Sequence, residues 1–167
     1  MSSSVRASLR SKRPEPDLDR GSTAIVTIVH PVDGSDSALR ATDALIAHLD
    51  WFRERPVIVL VAVHLPIPSL PHMGTVVGKA DVERYYDDEC EAMLKRARER
   101  LTAAGIAYEA RKVVGPVAET IVSVAGETHA DLIYMGTRGM SALANMALGS
   151  IATRVLHVAH IPVVLIH

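Results

Sequence analysis

Cysteine, aromatic residues and long apolar runs are all scarce in this chain of 167 residues. Cys90 is the only cysteine, so an intramolecular disulfide or a multi-cysteine metal site cannot form, and a reducing cytoplasm is the expected location. Aromatic residues make up 4% of the chain, which disfavours a base-stacking surface for nucleic acid. No apolar run reaches the length of a membrane span and the N-terminus lacks the apolar centre of a signal peptide, so neither membrane insertion nor export is expected.

The charge is nearly balanced. The formal net charge is −1, so no overall field attracts the chain to nucleic acid or to an anionic membrane.

Residues 1–22 are rich in Ser, Arg, Asp and Pro without periodicity, which predicts a disordered tail. The whole chain is 49% hydrophobic, and residues 23–167 suit one domain. The eight histidines form no coherent set of metal ligands, so no metal site is predicted.

Apolar segments with strand and helix periodicity alternate along this domain. Strands are expected over residues 24–29, 57–64, 106–114, 131–135 and 162–166. A long helix is expected over 79–104, with its apolar face formed by Val82, Tyr86, Cys90, Met93, Ala97 and Leu101. A Pro- and Gly-rich loop over 65–78 precedes it, and its length suggests a role. Five alternations predict an α/β fold, a Rossmann-like, doubly wound parallel sheet with helices on both faces.

The glycines near the C-terminus have the most informative spacing. Gly136-Thr137-Arg138-Gly139 follows the fourth predicted strand, and nine residues later Gly149-Ser150 opens a helix. Glycine lets the backbone approach a ligand, and the N–H groups and dipole of a helix N-terminus favour an anion. The spacing therefore predicts a phosphate-binding loop. The alternative is that these glycines only form turns and caps.

A second loop follows the first strand. Asp33-Gly34-Ser35-Asp36 predicts a turn, in which Ser35 or Ser37 caps the next helix. Parallel sheets bind ligands beyond the carboxyl ends of their strands, at the point where the strand order reverses. If strands one and four are neighbours, the two loops face each other across one cleft suited to a nucleotide. The P-loop signature and the Gly-x-Gly-x-x-Gly of dinucleotide folds are both absent.

With these residues the chain resembles the universal stress protein family, and specifically its ATP-binding branch. The resemblance spans residues 23–167 and rests on 31–35, 62–64, 113–115, 131–139, 149–150 and 162–166. In that branch the motif Gly-x2-Gly-x9-Gly-Ser/Thr accompanies ATP binding, and it is intact here. The resemblance implies an adenine-nucleotide-hydrolase-like sheet that holds ATP, with Mg²⁺ bound through the phosphates.

The resemblance also implies individual roles. Asp33 would meet the nucleoside beside a wall formed by Pro31 and Val32, and Leu65, or alternatively Val63, would pack against the base. The remaining implied contacts run from the ribose or adenine rim to the phosphates: Val114, Gly115, Met135, Gly136, Arg138, Gly139, Gly149, Ser150, Ile151 and Ala152. Some relatives carry a hydroxyl where Ala152 stands, so that phosphate contact would pass to Thr153 or be missing.

The expected function is that of a nucleotide-dependent regulator or stress-response module, with a regulatory protein as a further candidate partner. Two alternatives stay open: a slow ATPase or nucleotidyl-transfer enzyme of the same fold, and a family member that binds no nucleotide and acts through protein contacts. No base for activating water and no acidic pair after the fourth strand are evident, so ATP hydrolysis is expected to be slow at most. The uncharged C-terminal strand, residues 162–166, predicts a sheet edge and a homodimer formed through it.

Overall fold

The computed structural model describes residues 25–67, 78–139 and 148–167. The predicted tail over 1–22, most of the loop over 65–78 and residues 140–147 of the second glycine loop lie outside the described residues. The strands are β1 (Thr27–Pro31), β2 (Val57–His64), β3 (Tyr108–Val114), β4 (Leu132–Gly136) and β5 (Val163–Ile166). The helices are α1 (Asp36–Ala47), α2 (Lys79–Ala103), α3 (Val117–Glu127) and α4 (Ser150–Val158), with one 3₁₀ turn at Leu49–Trp51.

The strands form one parallel sheet in the order β3-β2-β1-β4-β5, which confirms the predicted fold. The order reverses at β1, which pairs with β2 on one side and with β4 on the other. The condition that strands one and four are neighbours is therefore met. β3 and β5 lie at the two edges, and the edge position of β5 agrees with the prediction from its sequence.

The predicted bounds of β1 were wrong. The strand covers Thr27–Pro31 rather than 24–29, so it includes His30 and Pro31. Pairing with β2 continues through Pro31, whereas pairing with β4 ends at the Val29–Ile133 pair. Proline lacks an N–H, and it is tolerated here because β1 and β4 have stopped pairing by that point. Their separation opens the sheet at the place where a ligand is expected.

Two apolar layers cover the sheet, one on each face. The layer under α1 and α2 includes Ile28, Leu45, Leu60 and Leu94, all fully buried. The layer under α3 and α4 contains Val29, Val61, Ile121, Ile133 and Val155 among others. Because successive residues of a strand point to opposite faces, the nearly continuous apolar runs of β1 and β2 supply both layers.

The predicted apolar face of α2 was partly wrong. Cys90, Ala97 and Leu101 are buried, which agrees with the predicted packed role of the thiol, but Leu94 is buried where Met93 was expected and Met93 is only half-buried. Leu94 continues the Cys90 row at the i+4 spacing, so the stripe follows the sheet beneath the helix. No helix in the described part of the chain is long and apolar enough to cross a membrane.

Candidate functional site

A cavity of about 420 Å³ opens at the carboxyl ends of β1 and β4. We call it the main cavity. Its lining comes from β1, β2 and β4, from the loops that follow these strands, and from the N-terminal halves of α1, α3 and α4. The lining residues are Pro31, Val32, Asp33, Ala38, Val61, Val63, Leu65, Val117, Ile121, Gly136, Thr137, Arg138, Gly139, Gly149, Ser150, Ile151 and Ala152.

The loop after β1 is a hydrogen-bonded turn that starts α1. Oδ1 of Asp33 accepts the N–H of Ser35 (3.0 Å), and Oγ of Ser35 accepts the N–H of Ala38 (3.1 Å). Gly34 between them has φ of +79°, a conformation that other residues rarely adopt. Ser35 is therefore the N-cap, and the turn holds the Asp33 backbone at the rim of the main cavity.

Gly136 brings the loop after β4 against the start of α1. A Cβ atom on Gly136 would lie 2.7 Å from Oγ and 2.8 Å from the carbonyl oxygen of Ser37, so only glycine fits this approach. The backbone N–H of Arg138 donates to the same Ser37 hydroxyl (3.3 Å). Ser37, which the sequence offered as an alternative cap, is buried and fastens the two loops to each other.

Gly149 closes the other side of the same loop. Its N–H donates to the carbonyl oxygen of Thr137 (2.7 Å), and a Cβ atom at Gly149 would lie 3.1 Å from that oxygen. The first hydrogen bond at this end of α4 runs from the N–H of Thr153 to the Gly149 carbonyl (2.9 Å). The preceding N–H groups, those of residues 150–152, have no acceptor within the helix.

These N–H groups belong to Ser150, Ile151 and Ala152, and all three residues line the main cavity. Unpaired helix N–H groups and the positive end of the helix dipole make this an anion-binding position. The Thr153 hydroxyl, the alternative to the one that Ala152 lacks, already has a partner. Its Oγ1 donates to the Gly149 carbonyl (3.0 Å), so the hydroxyl is used within α4.

The opposite wall of the main cavity is apolar. Val61 and Val63 of β2 point to one face of the sheet, since they are two residues apart. Val117 and Ile121 of α3 lie one turn apart and face them. Leu65 borders the opening and is 59% exposed. An elongated ligand with an apolar ring at one end and anionic groups at the other suits this division.

Eleven of the fourteen predicted contact residues line the main cavity, and Val114, Gly115 and Met135 do not. Val114 ends the edge strand β3, which is separated from β1 by β2. The Gly115 N–H donates to the His64 carbonyl (2.9 Å), and a Cβ atom there would meet Oγ1 of Thr120 at 2.5 Å, so this glycine shapes the turn before α3. Met135 is buried in the layer under α3 and α4. A ligand contact at these three positions stays a prediction.

Five lining residues were not foreseen from the sequence. They are Ala38, Val61, Val117, Ile121 and Thr137. The i, i+4 pair in α3 and the alternation in β2 were visible, but both patterns are equally typical of core residues. Thr137 lies inside the glycine motif, and its N–H donates to the Ile166 carbonyl of β5 (2.8 Å).

His30 lies beneath the site and is fully buried. Its Nδ1 lies 2.6 Å from the Tyr134 carbonyl oxygen and its Nε2 lies 2.8 Å from Oγ1 of Thr42. The neutral ring donates Nδ1–H to the Tyr134 carbonyl and has Nε2 as an acceptor facing the Thr42 hydroxyl. That Oγ1 also lies 3.0 Å from the Ala38 carbonyl oxygen, so its single proton is shared between these two acceptors. Burial lowers the pKa of His30 to about 4, although the hydrogen bond to Tyr134 acts in the opposite direction. His30 thus joins β1 to β4 and α1 as an uncharged group.

The sequence model of the universal stress protein family matches residues 25–167. The chain belongs to this family. A universal stress protein of Methanocaldococcus jannaschii is 31% identical over 149 residues, which cover 89% of this chain and 86% of that protein.

Solved universal stress proteins agree with the fold. A universal stress protein in complex with cAMP is 30% identical, with a TM-score of 0.62, and covers 85% of this chain and 97% of its own. One from Archaeoglobus fulgidus in complex with dAMP has a TM-score of 0.55 at 21% identity and covers 87% of this chain and 100% of its own. The family match includes β1, β4 and α4, the elements whose ends form the main cavity.

Proposed function

We propose that this universal stress protein binds ATP in the main cavity and acts as a nucleotide-dependent regulatory module in a stress response. The observation that carries the proposal is the placement of three helix N–H groups, of Ser150, Ile151 and Ala152, at one end of a cavity whose other end is apolar; none of the three has a backbone acceptor among the described residues. A triphosphate and an adenine ring have these complementary properties.

The geometry supports one orientation of the nucleotide. The phosphates are assigned to the α4 N-terminus and to the glycine loop, where side chains at Gly136 or Gly149 would collide with the backbone. The base is assigned to the apolar wall formed by Val61, Val63 and Val117, with Leu65 at the opening. Asp33 lies between the two ends and is assigned to the nucleoside.

Two relatives support the choice of an adenine nucleotide. The universal stress proteins described above were solved with cAMP and with dAMP, and both ligands carry adenine. A monophosphate or cyclic phosphate needs fewer N–H donors than a triphosphate. The intact Gly-x2-Gly-x9-Gly-Ser motif supplies backbone N–H donors for more than one phosphate group. This number of donors favours ATP.

The site is better suited to holding ATP than to cleaving it. Asp33 is the one carboxylate among the described residues that line the main cavity. No group of three or more His, Cys, Asp or Glu residues able to hold a metal occurs in the described part of the chain. Mg²⁺ would therefore bind through the phosphates, and without a second carboxylate to position water we expect at most slow hydrolysis.

The first experiment identifies the ligand carried by the protein. Mass spectrometry of the supernatant from denatured, freshly purified protein is expected to detect ATP. Calorimetric titrations with ATP, GTP, AMP and cAMP then rank the ligands, and ATP is expected to bind most tightly. Failure of all four to bind would overturn the proposal and favour a member that acts through protein contacts alone. A tighter complex with cAMP would assign the site to a cyclic nucleotide instead.

We place the module in the cytoplasm, where its one cysteine stays reduced and ATP is abundant. A homodimer formed through β5 and a regulatory protein partner complete the proposal. Neither nucleic acid nor a membrane surface is a proposed partner, because the net charge is −1 and aromatic residues are scarce.

A further inference from the structure

A second cleft of about 420 Å³ lies beside the main cavity. It is formed by the turn that starts α1, the middle of α2 and the loop after β4. Its lining residues are Gly34, Ser35, Asp36, Ser37, Arg40, Arg96, Arg138 and Gly139. We call it the arginine cleft. Arg138 and Gly139 line both cavities, so a single stretch of backbone separates them.

The arginine cleft has an excess of positive charge. Three guanidinium groups, from Arg40, Arg96 and Arg138, line it together with one carboxylate, that of Asp36. Oδ1 of Asp36 accepts from Nη1 of Arg96 (2.9 Å), and the same nitrogen lies 3.4 Å from the Gly34 carbonyl oxygen. This ion pair accounts for one cation and leaves two without a counter-charge in the cleft.

The two remaining arginines have unused hydrogen-bond donors. No hydrogen bond or ion pair joins the guanidinium of Arg40 to another described residue. Nε of Arg138 is buried and has no hydrogen-bond partner among the described residues. A buried donor of a charged group costs free energy when it is unpaired, and an anion beside the guanidinium would offset part of that cost by compensating its charge.

We propose that the arginine cleft binds a phosphate group, as an anion site separate from the helix N-terminus of α4. A phosphate dianion matches two uncompensated guanidinium groups in charge, and its oxygens match the planar fork of arginine in geometry. The shared wall at Gly139 allows two sources: the terminal phosphate of a nucleotide held in the main cavity, or a separate phosphorylated small molecule. Only the first source rests on the proposed ATP binding.

The test uses full-length Arg40→Gln, since Arg40 is exposed and its guanidinium has no hydrogen bond or ion pair with a described residue. Arg84→Gln is the matched control, because Arg84 is an exposed helical arginine outside the cleft and has no ion pair with a described residue. Each protein is titrated calorimetrically with ATP and with AMP. Inorganic pyrophosphate is then titrated into ATP-saturated protein and into nucleotide-free protein.

If the nucleotide supplies the phosphate, Arg40→Gln weakens ATP binding by about fivefold or more and leaves AMP binding unchanged, as expected for loss of one charge-assisted contact. If a separate molecule supplies it, pyrophosphate binds ATP-saturated wild type and Arg40→Gln weakens that binding by a similar factor. If Arg40→Gln behaves like Arg84→Gln in every titration, the proposal is overturned. It is also overturned if Arg40→Gln weakens the binding of ATP and of AMP equally. A wild type that binds pyrophosphate through Arg40 but binds no ATP refutes the proposed function and leaves the anion site standing.

Discussion

Gly139 packs directly against the carboxylate of Asp33: a Cβ atom on Gly139 would lie 2.8 Å from Oδ2 of Asp33. Asp33 follows β1 and Gly139 follows β4, so this approach brings together the two loops that the sequence singled out independently. A side chain at position 139 would therefore displace the Asp33 carboxylate from this contact.

The first prediction concerns Gly139→Val. The branched side chain would displace Asp33 and crowd the phosphate loop, so ATP binding is expected to weaken at least tenfold, about 1.4 kcal/mol. Calorimetry measures the affinity, and circular dichroism checks the fold. Gly126→Val is the matched control, because a Cβ atom on Gly126 in α3 meets nothing within 4 Å. Unchanged ATP affinity in a folded Gly139→Val protein would contradict the assignment of the phosphates to this loop.

The second prediction concerns Asp33. If its carboxylate contacts the nucleoside, Asp33→Ala lowers the preference for ATP over GTP more than it lowers the affinity gained from the phosphates. Asp33→Asn separates this role from the turn, because the amide oxygen can still accept the Ser35 N–H. The ratio of the two dissociation constants is the measurement. If Asp33→Ala weakens both nucleotides equally while Asp33→Asn weakens neither, the side chain only supports the turn.

The third prediction concerns the homodimer. Ile133 and Thr137 of the β4 side donate to the carbonyls of Pro162 and Ile166 (2.9 and 2.8 Å), so the backbone groups of Val163 and Leu165 point to the open edge. A partner strand would use those groups. The wild type is expected to sediment as a dimer at micromolar concentration, and Val163→Pro, which removes one outward N–H, as a monomer.

Val163→Ala is the control for that experiment, because it shortens the side chain and keeps the N–H. It should remain dimeric. Truncation at Ile161 is a poorer test, since Val163, Val164, Leu165 and Ile166 all pack against the two apolar layers. A monomeric wild type would exclude a β5-mediated dimer under these conditions.

The fourth prediction concerns His30 and pH. The pKa of His30 is about 4 in the folded protein and 6.5 in the unfolded reference, so between these values the unfolded chain binds more protons. The stabilisation is complete above pH 6.5 and is lost as pH falls toward 4, at a cost of about 3 kcal/mol. Urea unfolding of wild type and His30→Gln across this range measures the effect. The variant is expected to lose less stability on acidification, and parallel curves would mean that His30 is not the titrating group.

The sequence by itself determined the alternation of strands and helices, the two glycine loops and the family. These features are local, since periodicity, turn residues and motif spacing are all set by neighbours along the chain. Even so, the local sequence pattern placed the bounds of β1 too early in the chain. Pro31 lacks an N–H, and only the end of pairing between β1 and β4 at Val29 shows why β1 can extend as far as Pro31.

Only the tertiary structure decided which residues share a site. Val114 and Gly115 were assigned to the ligand from the resemblance, and the strand order places β2 between β3 and β1, so a ligand contact at these two residues stays a prediction. Val61 and Ile121 carry the same apolar pattern as any core residue, and they line the main cavity because α3 packs on the face of the sheet that contains Val61. The arginine cleft joins Arg96 to Asp36, 60 residues apart. Such contacts depend on how elements pack across the sheet, and no pattern confined to one segment of the chain encodes that packing.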